Sequence, residues 1–197
     1  MLYNVKKKIK NSKIFLEPFP YLFVKNFLNK NEITKINREL PSFKEIEGAD
    51  ILYQSTSKTK KTLLPNSSIY KDLVKKDSFK KINHLFKKLQ PIIIKKFSLE
   101  IAKHVKKKYQ NKKLNYHSSF SIMKNGYEKS AHLDRRDHLI HMILYTFSQH
   151  EKGGEICMNK TKKKEKVYDI FPSKKDLRVY KKHKVYSNSC IIILNVP

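Results

Sequence analysis

Apolar and polar positions follow two different periods along the chain, and the change falls near residue 116. Before it, Phe79, Ile82, Leu85, Phe86 and Leu89 recur every three or four residues, with Lys80, Lys81, Lys87 and Lys88 on the opposite side, which predicts an amphipathic helix. Pro91 then predicts a fresh helix, with Ile94, Phe97, Ile101 and Val105 on its buried side and the lysines at 95, 96, 103 and 106–108 on its wet side. Upstream, Asn29 stands three residues before Glu32, and Ile33, Ile36 and Leu40 follow at helical spacing, so a capped helix is expected from about residue 30 to Pro41. Residues 14–27 mix short apolar runs with Pro18 and Pro20 and predict one or two strands. The stretch 42–67 is polar and turn-rich and reads as loop, with room for one strand at 51–53.

From Tyr116 onward the pattern is strand-like, with short runs at 120–123, 139–147, 155–158, 167–171, 177–180 and 190–194. Helices first and short strands afterwards predict an α+β fold in which helices pack against an antiparallel barrel or sandwich. With 197 residues, 39% of them apolar, and 11 Phe and 11 Tyr, one core can be filled, so a single domain over 1–197 is expected.

The formal charge of +27 changes this picture less than its size suggests, because arginine occurs only at 38, 135, 136 and 178. Arginine provides the bidentate phosphate recognition of dedicated nucleic-acid modules, and lysines on solvated helix faces do not, so a nucleic-acid partner is possible but not favoured. Apolar runs such as 191–194 are far shorter than the roughly 20 residues a membrane helix needs, so no membrane partner is expected. The basic stretch at 6–10 is not followed by a long apolar segment, and only Cys157 and Cys190 occur. A cytoplasmic, reducing location is the expectation. Two distant cysteines exclude a zinc finger. Cys190, with no charged partner in view, reads as a small core residue.

The chemistry is concentrated in residues 122–158, IMKNGYEKSAHLDRRDHLIHMILYTFSQHEKGGEICM. His132 and Asp134 are two apart, and on extended backbone that spacing turns both side chains to one face. An imidazole and a carboxylate supply two corners of the 2-His-1-carboxylate triad that leaves open positions on iron(II). About ten residues later an apolar run ends in Leu144 and Tyr145, a polar turn follows, and Gly153-Gly154-Glu155-Ile156 opens the next run. This order resembles the iron(II)- and 2-oxoglutarate-dependent dioxygenases of the prolyl 4-hydroxylase-like kind. The opening 19–28, FPYLFVKNFL, followed by a capped helix, is similar to the start of that family, so the likeness covers nearly the whole chain.

The resemblance implies a double-stranded β-helix, that is a cupin-like jelly roll, with N-terminal supporting helices. It implies a dioxygenase that decarboxylates 2-oxoglutarate to succinate while hydroxylating a prolyl, other peptidyl or small-molecule substrate with O2, with ascorbate as a candidate accessory. Carried over by position, His132 and Asp134 fall where the first two iron ligands stand, and Tyr145 where a tyrosine meets the distal carboxylate of 2-oxoglutarate; the alternative for Tyr145 is a core aromatic at a strand end. Asp134 in the carboxylate position implies hydroxylation over halogenation.

The family's third ligand is a histidine shortly after a strand of the form Asn-Ser-x-apolar-apolar-apolar-Leu, with a basic partner for 2-oxoglutarate about ten residues later. Residues 188–194 match that strand, and the chain ends at Pro197, so both groups are expected beyond it and the domain is expected to lack its last strands. His183 is a possible substitute ligand, but it precedes the apolar strand it should follow, and it is expected at a surface or strand edge. His84 and His104 are expected on lysine-rich helices, and His141 is a candidate to face the interior. Two other readings stand beside the enzyme: a non-enzymatic basic protein binding nucleic acid or another anion, and a degenerate jelly roll that folds without metal.

Overall fold

The computed structural model describes residues 1–46, 59–106, 114–124, 126–132, 138–146, 155–162 and 171–195. The fold is mixed α+β with antiparallel sheets. Its elements are α1 (Leu2–Asn11), β1 (Tyr21–Val24), α2 (Lys30–Glu39), β2 (Lys60–Leu63), α3 (Ser68–Leu73), α4 (Asp77–Lys96), α5 (Ser98–His104), β3 (Phe120–Met123), β4 (Ile140–Tyr145), β5 (Ile156–Thr161), a 3-10 turn at Lys174–Asp176, β6 (Leu177–His183) and β7 (Ser189–Leu194). They fall into two compact units, one formed by residues 1–29, 91–112 and 130–197 and the other by 30–90 and 113–129.

In the second unit, β2 and β3 pair antiparallel, with Leu63 opposite Phe120 and the hydroxyls of Thr62 and Ser121 2.9 Å apart. Ile46, Leu63 and Tyr70 form its core, with Ile69, Val74, Phe120 and Ile122 packed around them. Ser67 caps α3 by accepting a hydrogen bond from Tyr70 N at 3.1 Å, which satisfies a first-turn donor with no intrahelical partner. α2 buries Ile33 and Ile36 as the spacing predicted.

The two helices expected on either side of Pro91 are one continuous helix, and the break comes at Phe97. A proline inside a helix removes one hydrogen bond at a cost of about 3 kcal/mol. Here that cost is offset because Leu89, Ile93 and Phe97, spaced by four residues, stay buried on one continuing face while Pro91 is exposed. The buried positions are therefore Ile93, Phe97 and Ile101, with Ile94 and Val105 only half-buried. Two helices escaped the sequence pattern. α1 carries only Val5 and Ile9 as buried residues, too few to stand out among its lysines, and α3 is a single short turn and a half.

The first unit is built on β7, whose both faces are covered. β7 lies between β1 and β4, antiparallel to each, with Ile193 opposite Tyr21 and His141, and Ile191 opposite Phe23 and Ile143. A strand buried on both sides needs an unbroken apolar run, which the segment 190–194 supplies. One face of the sheet presents Leu22, Val24, Cys190, Ile192 and Leu194, all buried, and α1 lies against β1. The other face carries Tyr21 and Ile191 into a cluster with Met158 of β5, surrounded by Phe15, Phe19, Phe23, Tyr145, Ile156 and Ile193. β5 pairs with β6 from Ile156 opposite His183 to Thr161 opposite Leu177, with an irregularity between Met158 and Asn159. The strand expected at 51–53 and residues 167–170 of the strand expected at 167–171 lie outside the described residues, Phe171 is described outside any strand, and β2 was missed in the stretch expected to be loop.

Candidate functional site

β4 and its flanks carry the residues singled out from the sequence. Its odd-numbered positions share the face that holds Tyr21 and Ile191, so His141, Ile143 and Tyr145 point to that side, as period two requires. Tyr145, at the end of β4, packs into the cluster, and burial raises its phenol well above the ordinary value. Its backbone carbonyl accepts from Asn188 N at 2.7 Å, which anchors the end of β4 to the start of β7. The rings of His138 and His141 are 5.0 Å apart, and the carbonyl of His138 accepts from Asn195 Nδ2 at 2.8 Å.

His132 lies in the segment leading toward β4. Its Nδ1 is 3.1 Å from the carbonyl oxygen of Ser130, and its ring is 6.4 Å from that of Phe171. A carbonyl can only accept, so Nδ1 is the donor in this contact. That is how metal-ligating histidines are commonly held, by a hydrogen bond at the nitrogen that does not ligate. Asp134 lies outside the described residues, as do Gly153, Gly154 and His150. Among the described residues no three His, Cys, Asp or Glu side chains group so as to hold a metal ion. His132 and Tyr145 therefore stand in two settings, one half-buried beside Phe171 and the other inside the aromatic cluster.

His183 ends β6, at the edge of the two-stranded β5–β6 sheet as expected, but it is half-buried among aromatic rings. Its Nε2 is 2.8 Å from the hydroxyl of Tyr21, its ring stacks on Phe23 at 5.0 Å and 22°, and Phe15 and Tyr21 meet it edge-on at 6.2 and 5.3 Å. Burial, and then the charge of Lys181, lowers its pKa below the ordinary histidine value. Strand spacing places a residue on a face, but it does not say which aromatic rings another sheet will bring to it. Among the described residues His183 is not grouped with other His, Cys, Asp or Glu side chains that could hold a metal ion.

Sequence reasoning passed over Asn188 as anything but part of a strand motif. It has a left-handed backbone (φ 61°), and its side-chain amide joins both backbone polar groups of Leu28. Its own carbonyl accepts from Phe27 N at 2.8 Å. An Asn at the start of an apolar run, where αL is tolerated only by Gly, Asn and Asp, was the available signal. Cys190 is fully buried and its thiol is pushed upward by burial, as a small core residue should be. His84 and His104 are exposed on their helices, as expected.

No protein-family model matches this chain, and no curated protein or solved structure matches it either. No helix among the described residues is long and apolar enough to cross a membrane.

Proposed function

We propose that the chain is an iron(II)- and 2-oxoglutarate-dependent dioxygenase domain of the prolyl 4-hydroxylase-like kind, hydroxylating a prolyl, other peptidyl or small-molecule substrate. The observation that carries this reading is the nested strand pairing. Of the four strands among the described residues from 140 to 194, the outer two, β4 and β7, pair with each other, and the inner two, β5 and β6, pair with each other. A long hairpin folded in this way gives two sheets whose inner faces meet, and here Ile191 and Tyr145 meet Met158 and Ile156. That is the arrangement by which a jelly roll, or double-stranded β-helix, encloses its interior.

The chemistry of the donors agrees. His132 is held at Nδ1 by Ser130 O, and the sequence sets a carboxylate, Asp134, two residues on, the residue types that suit iron(II). His132 and Asp134 would hold the metal, and Tyr145 would offer its hydroxyl to the distal carboxylate of 2-oxoglutarate. Bound iron with 2-oxoglutarate supplies oxygen activation, coupling decarboxylation of the cosubstrate to oxidation of a substrate C–H bond. The aromatic cluster around Tyr145 excludes water from that side, which strengthens a hydroxyl–carboxylate hydrogen bond.

The test reads where a divalent ion binds. Cobalt(II) is titrated into isotopically labelled chain under anaerobic conditions, with saturating 2-oxoglutarate, and the imidazole resonances are followed. The expected result is that His132 broadens first and that His132→Ala removes the effect. Unchanged His132 signals at millimolar metal, or the same broadening pattern in the variant, would overturn the reading.

A further inference from the structure

The exposed face of β6 and the turn after it has no part in that site, and it sets exposed tyrosines among basic residues. From residue 178 to 186 every even-numbered residue is exposed, while Lys181, His183 and Val185 are half-buried. The exposed row reads Arg178, Tyr180, Lys182, Lys184, Tyr186. Tyr180 and Tyr186 are 45% and 44% exposed, and neighbouring Val179 is 51% exposed, so large apolar surface faces water beside the charges. Lysines from elsewhere in the unit come to these rings: Lys160 Nζ is 4.3 Å from the Tyr180 centroid, and Lys25 Nζ is 4.9 Å from that of Tyr186.

Basic residues outnumber carboxylates on the helices as well, with α4 carrying six lysines and only Asp77, so the lysines alone do not mark this face, and the exposed tyrosines set among them do. On the helical surface Lys81 and Lys35 share Asp77, and Lys75 meets Asp72. The described parts of the ribbon, residues 155–162 and 171–186, carry eight lysines and arginines against two carboxylates. Glu155 reaches Lys182 at 3.5 Å in an exposed pair of small energetic weight, and Glu17, bonded to Lys160 and to the Tyr180 hydroxyl, meets only one end of the row. A strongly positive row studded with exposed tyrosines has the two components of a sequence-indifferent platform for single strands: rings on which bases stack, and ammonium groups that meet phosphates. Lysine, a point charge, suits contacts to the backbone that carry no sequence information.

We propose that this row, Arg178 to Tyr186 with Lys160 and Lys25, is a docking surface for single-stranded nucleic acid. It does not depend on the iron site, and the experiment on it involves neither metal nor 2-oxoglutarate. Fluorescein-labelled oligo(dT) of about 16 nucleotides is bound to the full chain and followed by anisotropy over a salt series. The ribbon variant Arg178→Gln/Lys182→Gln/Lys184→Gln is compared with the charge-matched helix variant Lys80→Gln/Lys88→Gln/Lys95→Gln. The ribbon variant is expected to lose at least about tenfold in affinity and to flatten the salt slope by roughly 0.7 for each phosphate no longer neutralised, and the helix variant to stay within about threefold. Tyr180→Ala/Tyr186→Ala is expected to lose at least about tenfold, with Tyr180→Phe/Tyr186→Phe retaining binding because the stacking rings remain. Equal losses in the helix and ribbon variants would reduce the effect to net charge and overturn the proposal. So would unchanged binding in the alanine variant, or competition by polyglutamate as strong as by unlabelled oligo(dT). Thermal melts establish that each variant is folded; should the alanine pair not fold, the two charge variants and the phenylalanine pair still decide.

Discussion

The side chain of Asn188 clasps the backbone of Leu28: Oδ1 accepts from Leu28 N at 2.7 Å, and Nδ2 donates to Leu28 O at 2.8 Å. Both residues are buried, and 160 positions of sequence separate them. With Asn188 N bonded to Tyr145 O and Phe27 N bonded to Asn188 O, one residue ties the chain after β1 to the ends of β4 and β7.

Asn188→Ala removes both side-chain bonds, leaves two buried backbone groups unsatisfied, and forces a Cβ without polar compensation into the left-handed region. A loss of about 2–4 kcal/mol in urea unfolding is expected. Asn188→Gly also loses the bonds but adopts φ > 0 without strain, so it is expected to be less damaging by about 1 kcal/mol. Equal losses in the two would show that the backbone conformation contributes nothing.

Tyr145→Phe separates packing from ligand chemistry. The ring fills the cluster in either case, so stability is expected to change by less than about 1 kcal/mol. Under the proposed function the missing hydroxyl weakens 2-oxoglutarate binding about tenfold or more, because hydrogen bonds to a charged group are the stronger kind. Calorimetric titration of wild type and variant measures the second effect, and unchanged affinity would remove Tyr145 from the site.

The lowered pKa of His183 predicts a pH effect of definite sign. As pH falls below about 6.5, the unfolded chain takes up a proton at this residue before the folded one does. Its contribution to stability is therefore full above that value and declines below it, down to the folded pKa. NMR titration of the imidazole is expected to give a midpoint below 6.5, and His183→Gln is expected to flatten that part of the stability profile. A midpoint above 6.5 would contradict the aromatic enclosure of this ring.

The two cysteines should react in sequence. Cys157 is exposed on β5, whereas Cys190 is buried in β7 with its thiol pushed upward. Ellman's reagent is expected to titrate one thiol in the native chain and the second only on unfolding. Rapid reaction of both in the native chain would mean that β7 is not the covered central strand.

How much of this was legible in the sequence depends on the range of the interaction. The helix through Phe79, Leu85 and Leu89 and the strands β3, β4 and β7 were readable because a helix or strand writes its own period into the residues that face the core. The break assigned to Pro91 was misplaced because a local rule was outweighed by burial of Ile93 and Phe97 on a continuing face. Of the candidate site, His132, Asp134 and Tyr145 could be picked out as residue types at a spacing, and the contact at His132 Nδ1 needed the position of Ser130 O.

By itself, then, the sequence determined the α+β class, the apolar strand at 190–194, the lysine-rich helix faces and which residue types stand at the candidate site. All of these are set by side-chain type and local period. Tertiary structure alone decided that β4 pairs with β7 while β5 pairs with β6, that Phe15, Tyr21 and Phe23 pack around His183, and that Asn188 holds Leu28. The physical reason is that such interactions join segments far apart in the sequence. Their stability comes from burial and hydrogen bonds that exist only once the chain has closed.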